Sequence, residues 1–270
     1  MNIDKIVLET DQLFNGLNAD IGTIVDIITR PQSSIPELWN MVEGIFSCIL
    51  PIGYSLLTLF FMLDFFNKTI TFKVAKIENI IKVLIRVIMA KVIMESSFEL
   101  LNFIYQAISD LISLVYNSPA TIQTVIDIEA LKTQLEGMGT LELIMYQVKL
   151  MPMNFVMSIV KIFIKVICYG RIIEIYIYTA LAPLPLATMP NEEYSNTAKR
   201  FIQQYISVCL QGIVILIATM SFSGLVDTIV VAAGSENTEI GLWGMITVSI
   251  VLLYTLSQSK NWAKQIVGVN

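Results

Sequence analysis

Arg171 and Glu174 stand three residues apart in an otherwise apolar stretch, and Pro183 and Pro185 follow in the same run. Three residues are close to one helical turn, so the two charges share a face and can neutralise each other inside or beside a membrane. Within Ala182, Pro183, Leu184 and Pro185, two backbone donors are missing. The helical ladder must break there, and other groups must take up the freed carbonyls. Such a break beside an ion pair suits a substrate path or a subunit contact. It equally suits an ordinary intrahelical pair that steadies a bundle.

A second set lies upstream. Advancing 100° per residue, Lys91, Glu95, Glu99, Asn102, Gln106, Asp110 and Ser113 fall within an arc of about 100°. The remaining surface carries Phe98, Leu101, Phe103, Ile104, Ile108, Leu111, Ile112 and Leu114. One continuous polar stripe on an apolar helix cannot face hydrocarbon. Either it is polar packing between helices, or it faces a hydrated lumen or crevice. Lys161 and Lys165 align with Asn154 and Ser158 on a further helix face.

No other chemistry competes with these sets. The chain has no histidine, which removes the commonest general base and metal ligand. Cys48, Cys168 and Cys209 lie far apart inside apolar runs and read as small buried hydrophobes, with neither a zinc site nor a disulfide framework suggested. There is no nucleophile–base pair, phosphate loop or dinucleotide fingerprint, so neither an enzyme nor a cofactor is expected.

The elements that must hold these residues are membrane helices. Of 270 residues 55% are hydrophobic and only 14% charged, well under the quarter typical of soluble domains. The expected architecture is all-α: a polytopic membrane bundle of about five spans with amphipathic interfacial helices. Residues 1–40 form an acidic segment with helical apolar spacing and no basic leader, so the first span is expected to act as its own insertion signal. Spans are expected at 44–63, kinked at Pro51, and at 94–116, 168–188, 201–222 and 242–257 within a membrane domain of residues 41–262.

Local charge then sets the orientation. Lys68, Lys73, Lys76, Lys82 and Arg86 make the first inner loop basic, with an amphipathic helix along the inner leaflet. Segment 117–150, holding a short helix at 121–135, is acidic, as is 224–241. Lys260, Trp262 and Lys264 anchor the tail, residues 263–270. Residues 151–188 are too long for one straight span, and one crossing leaves the later charges best placed. The result is a cell-membrane protein with its N-terminus outside and its C-terminus in the cytoplasm.

The chain resembles the TrbL-like polytopic membrane subunits of type IV secretion (conjugal transfer) systems of Gram-positive mobile elements. The resemblance runs from about residue 42 to 262. It is carried by Tyr169, Gly170 and Arg171 through Met189, by residues 201–215, and by Lys91 to Glu99. It implies a channel or platform subunit, present in several copies beside a VirB-type ATPase, a DNA-coupling ATPase and other membrane subunits. Such an assembly helps pass single-stranded DNA with its relaxase across the membrane. Two other classes fit the composition: a small-molecule permease, which needs a second matching helix break, and a membrane anchor for soluble partners.

Overall fold

The computed structural model describes residues 4, 6–9, 22–70, 77–118, 132–133, 136–137, 139–233 and 238–269. Lys73, Lys76 and most of the expected helix at 121–135 lie outside them. Helices account for nearly all of the rest, and no strand occurs among the described residues.

Among the described residues, seven helices with defined bounds follow residues 22–29, which are themselves helical, and a 3₁₀ turn at Gln32–Ser34. They are α1 (Pro36–Ile70), α2 (Ile77–Glu95), α3 (Ser97–Tyr116), α4 (Thr140–Leu181), α5 (Pro183–Leu186), α6 (Ser195–Ala233) and α7 (Thr238–Val267). Local chemistry explains several ends. Pro36 opens α1 at a position that needs no donor, with Glu37 in its first turn and Lys68 in its last, matching the helix dipole. At the start of α4, Glu142 Oε2 accepts from the Gly139 N–H at 3.0 Å. Gly268, at φ +76°, closes α7: its N–H reaches Gln265 O at 3.1 Å and the Val269 N–H reaches Lys264 O at 2.9 Å.

Pro51 lies inside α1. Two extents differ from the sequence expectation. Residues 151–181 run in one continuous helix that begins at Thr140, so the chain does not turn back there and part of the expected outer connection is helical. The expected inner-leaflet helix and second span are joined almost without interruption. Across Ser96 the ladder continues, with Ser96 N–H to Val92 O at 3.0 Å and Leu100 N–H to Ser96 O at 2.9 Å. Ser96 Oγ and Ser97 Oγ bond back to Val92 O and Met94 O, which bends a helix without breaking it.

Four described helices are long and apolar enough to cross a membrane: α1, α3, α4 and the Ser195–Leu225 part of α6. The fifth expected span falls in α7, several of whose side chains near Trp243 lie outside the described residues.

The packing seams alternate steps of three and four. Along α4 the buried positions are Leu143, Tyr146, Leu150, Met153, Met157, Val160 and Ile164, continuing to Cys168, Arg171 and Ile175. Along α6, which is buried on more than one side, one such row is Ala198, Phe201, Tyr205, Val208, Gly212, Ile215, Thr219 and Phe222. A repeat near 3.5 residues is that of left-handed helix seams, where side chains of one helix seat between those of the next.

The contacts divide the chain into two compact units. One comprises residues 1–29, 111–170 and 211–262. In it Gln211 Nε2 donates to Ser259 Oγ at 3.0 Å. The other comprises residues 30–110, 171–210 and 263–270. Its core joins Phe46, Leu57, Met94, Leu101, Ile175, Leu186 and Val208. This second unit holds nearly all the chemistry-bearing residues.

Candidate functional site

Arg171 occupies a core position of the α4 seam and is 2% exposed. Two of its nitrogens donate to backbone: Nε to Val208 O at 2.9 Å and Nη2 to Cys209 O at 2.8 Å, both on α6. The guanidinium also lies 5.8 Å from the centre of the Tyr105 ring. Glu174, one turn on, is half-buried. A buried cation is tolerable only when its donors are satisfied, and planar guanidinium reaches two carbonyls at once.

Around it runs a network of tyrosines. Tyr105 donates to Arg30 O at 2.7 Å and Tyr176 to Gln32 O at 2.8 Å. Tyr205 donates to Leu101 O at 2.8 Å and accepts from Gln32 Nε2 at 3.3 Å. The turn at residues 30–35 is therefore held by α3, α4 and α6 together. The sequence places it at the end of an acidic extramembrane segment. Only Gln32 of the turn is buried, and the turn's anchoring rests on tertiary contacts that no local pattern encodes.

Hydrogen bonding resumes directly after the proline break. Ala187 N–H reaches Pro183 O at 3.0 Å, Thr188 N–H reaches Pro185 O at 3.2 Å, and Thr188 Oγ1 bonds the same oxygen at 2.8 Å. The chain approaches α1 so closely that a Cβ on Gly53 would lie 2.9 Å from Pro183 Cβ and 3.0 Å from Met94 Sδ.

Beyond the break lies an ionic cluster that the sequence reading missed. Lys68 Nζ lies 2.7 Å from Asp64 Oδ2 and 3.0 Å from Glu192 Oε1, and Arg86 Nη1 is 2.9 Å from that same Glu192 oxygen. The Glu192 N–H donates to Asp64 Oδ1 at 3.2 Å, and buried Asn191 donates to Phe60 O at 3.3 Å. In the sequence Lys68 and Arg86 show as positive-inside charge and Asp64 with Lys68 as the edge of the first span, but Glu192 carries no signal. Hydrogen bonds from Lys68, then Arg86, hold the Glu192 carboxyl below the usual carboxylate range.

A depressed carboxylate stabilises the fold above its unfolded pKa, and that contribution is lost as pH falls through the lower folded value. Because the Glu192 side chain is 60% exposed, salt screens the cluster. Glu192→Gln is therefore expected to lower the melting temperature of the detergent-solubilised protein at neutral pH and low salt. The deficit should shrink both at high salt and at acid pH. A deficit independent of salt would mean that packing, not charge, is at work there.

The polar stripe is not covered by the chain's own helices. Lys91, Glu95, Glu99, Gln106 and Asp110 are exposed, and Asn102 is half-buried. Tyr54 of α1 joins them, donating to Glu95 Oε1 at 2.6 Å, while Lys91 Nζ stands 3.6 Å from that oxygen and 5.9 Å from the centre of the Tyr54 ring. Polar packing between helices, one of the two readings open in the sequence, describes the Tyr54–Glu95 contact, while Glu99, Gln106 and Asp110 stay exposed. Lys161 is half-buried and Lys165 exposed, in the other unit. Among the described residues no group of three or more acidic or cysteine side chains could hold a metal.

Long apolar helices with buried ionic contacts and an uncovered polar face define a polytopic all-α membrane protein. The family model described as TrbL/VirB6 plasmid conjugal transfer like protein matches residues 17–183, more than half of the chain. The chain belongs to this family and is a membrane component of the conjugal transfer (type IV secretion) kind. The match takes in Lys91 to Glu99 and Arg171, ends at Pro183, and leaves residues 201–215 outside. Neither the curated proteins nor the solved structures compared with the chain offer a match.

Proposed function

We propose that the protein is a channel or platform subunit of a conjugation machine in the cytoplasmic membrane, helping single-stranded DNA with its relaxase to cross. It works in several copies beside other secretion membrane subunits, a VirB-type ATPase and a DNA-coupling ATPase. The N-terminus lies outside and the C-terminus in the cytoplasm, as the basic inner segments ask. Family membership supports the setting, and one observation supports the assembled state. Glu99, Gln106 and Asp110 are exposed on α3, a helix of membrane length, with Lys91 and Glu95 exposed at the end of α2 just before it, so a chain alone in lipid would turn the Glu99 carboxylate to hydrocarbon.

Gentle purification of the tagged protein from its native host tests the setting. Both ATPases should be recovered with it, whereas a clean monomer or homodimer would favour the permease class. Replacing Glu95 and Glu99 together by Leu is expected to lower conjugal transfer roughly tenfold or more, equivalent to at least ~1.4 kcal/mol, at an unchanged protein level. Unchanged transfer would remove the face from the mechanism.

A further inference from the structure

The polar face sits deeper than its sequence position indicates. Tyr54 is midway along the uncharged run of α1, eleven residues from Glu43 and ten from Asp64. At 1.5 Å per residue that is about 15 Å of helix on either side, half of a hydrocarbon core of roughly 30 Å. Glu95 is bonded to the Tyr54 hydroxyl. From the other direction, Arg86 shares Glu192 with Lys68 at the charged edge, and Glu95 lies about 14 Å further along the same helical path. The Lys91–Glu95–Tyr54 cluster is therefore close to the membrane midplane. Asp110 lies about 22 Å beyond Glu95, more than the half-thickness of about 15 Å, and so stands at the opposite edge, while Glu99, about 6 Å beyond Glu95, stays within the core.

At that depth the Lys91 and Glu95 side chains are 57% and 44% exposed. Each charged residue turned to lipid would cost roughly 2.5–3.5 kcal/mol. The face must be covered or wet. Its chemistry narrows the choice, because Lys91 is already engaged by Glu95 and the Tyr54 ring. What remains on offer is Glu99 and Asp110 with the amides of Asn102 and Gln106. A passing phosphate backbone would be repelled by carboxylates. Two copies meeting through this same face would oppose like charges.

We infer that this face docks a membrane-embedded segment of a different subunit, one that presents lysine, arginine or amide donors to Glu99 and Asp110. The inference rests on the reading of the chain as a transfer subunit and names the chemistry of its neighbour.

The test uses native cells with the whole transfer apparatus, and a chain in which Cys48→Ser removes the exposed thiol. Glu99→Cys and Gln106→Cys are treated with a membrane-impermeant maleimide, and the transfer frequencies of Glu99→Leu/Asp110→Leu, Glu99→Gln/Asp110→Gln and Glu99→Lys/Asp110→Lys are compared. Docking predicts unlabelled thiols, the smallest loss with Gln, roughly tenfold with Leu, and the largest with Lys. Labelled thiols would mean a hydrated path, open to DNA, and overturn the inference. So would a disulfide between two copies at Glu99→Cys, or unlabelled thiols with full transfer by the Leu variant, which indicates lipid. Gene deletion with complementation runs alongside. Transfer that survives deletion sinks the transfer-subunit reading itself, whatever the labelling shows.

Discussion

Arg171→Ala is expected to remove most of the folded protein from the membrane. The substitution deletes a guanidinium that donates to Val208 O and Cys209 O and stacks beside Tyr105. Hydrogen bonds from a charged donor contribute roughly 1.5–3 kcal/mol each, and emptying a large core position adds a cavity. A total near 3–5 kcal/mol follows, against a typical stability of about 5–15 kcal/mol. Arg171→Lys keeps the charge but cannot span two carbonyls, so it should recover only part of the loss. Arg171→Met, which fills the space without burying a charge, should be milder than Ala. Protein level in isolated membranes and the melting temperature in detergent decide the matter. Equal values for wild type and Arg171→Ala would show that the arginine does not hold α4 to α6.

Gly53→Leu is expected to be nearly as damaging, for the opposite reason. Even a methyl group there meets Pro183 Cβ at 2.9 Å and Pro183 O at 3.3 Å, and a proline ring on a broken helix cannot swing aside as a long side chain can. Met94 Sδ, at 3.0 Å, is the softer neighbour, but Met94 is fully buried. Overpacking of this kind costs roughly 1–3 kcal/mol for a small addition, so Gly53→Ala should accumulate poorly and Gly53→Leu hardly at all. Gly44→Ala supplies the control, since nothing lies within 4 Å of its added Cβ. Equal damage at both glycines would mean that helix α1 needs flexibility rather than room.

The helical class, the membrane setting and the polar stripe were legible in the sequence because each rests on local pattern. Apolar length marks the spans, and a polar arc on an apolar helix marks a face that lipid cannot cover. The seams were not legible. Along α4 the buried Leu150, Met153 and Met157 alternate with exposed Met151, Phe155 and Ile159. Both faces are apolar, since one meets protein and the other has the composition of a lipid-facing surface, so hydrophobic periodicity vanishes. For the same reason Arg171 stood out as a charge, while its carbonyl partners, which have no side-chain signature, did not. The Asp64–Lys68–Arg86–Glu192 cluster brings together residues up to 128 positions apart, and Glu192 looked like any acidic loop residue.

The turn at residues 30–35 is gripped mainly through Arg30 O and Gln32 O, atoms that every amino acid possesses. Its tolerance to change should follow accordingly: apart from buried Gln32, whose amide also reaches Tyr205, the side chains there are interchangeable in principle, whereas a single inserted or deleted residue would carry both carbonyls out of reach of Tyr105 and Tyr176. Spelling at this corner is nearly free, and length is not. A recoded turn of equal length would thus keep both tyrosine contacts, and a shorter one would leave the Tyr105 and Tyr176 hydroxyls without these acceptors.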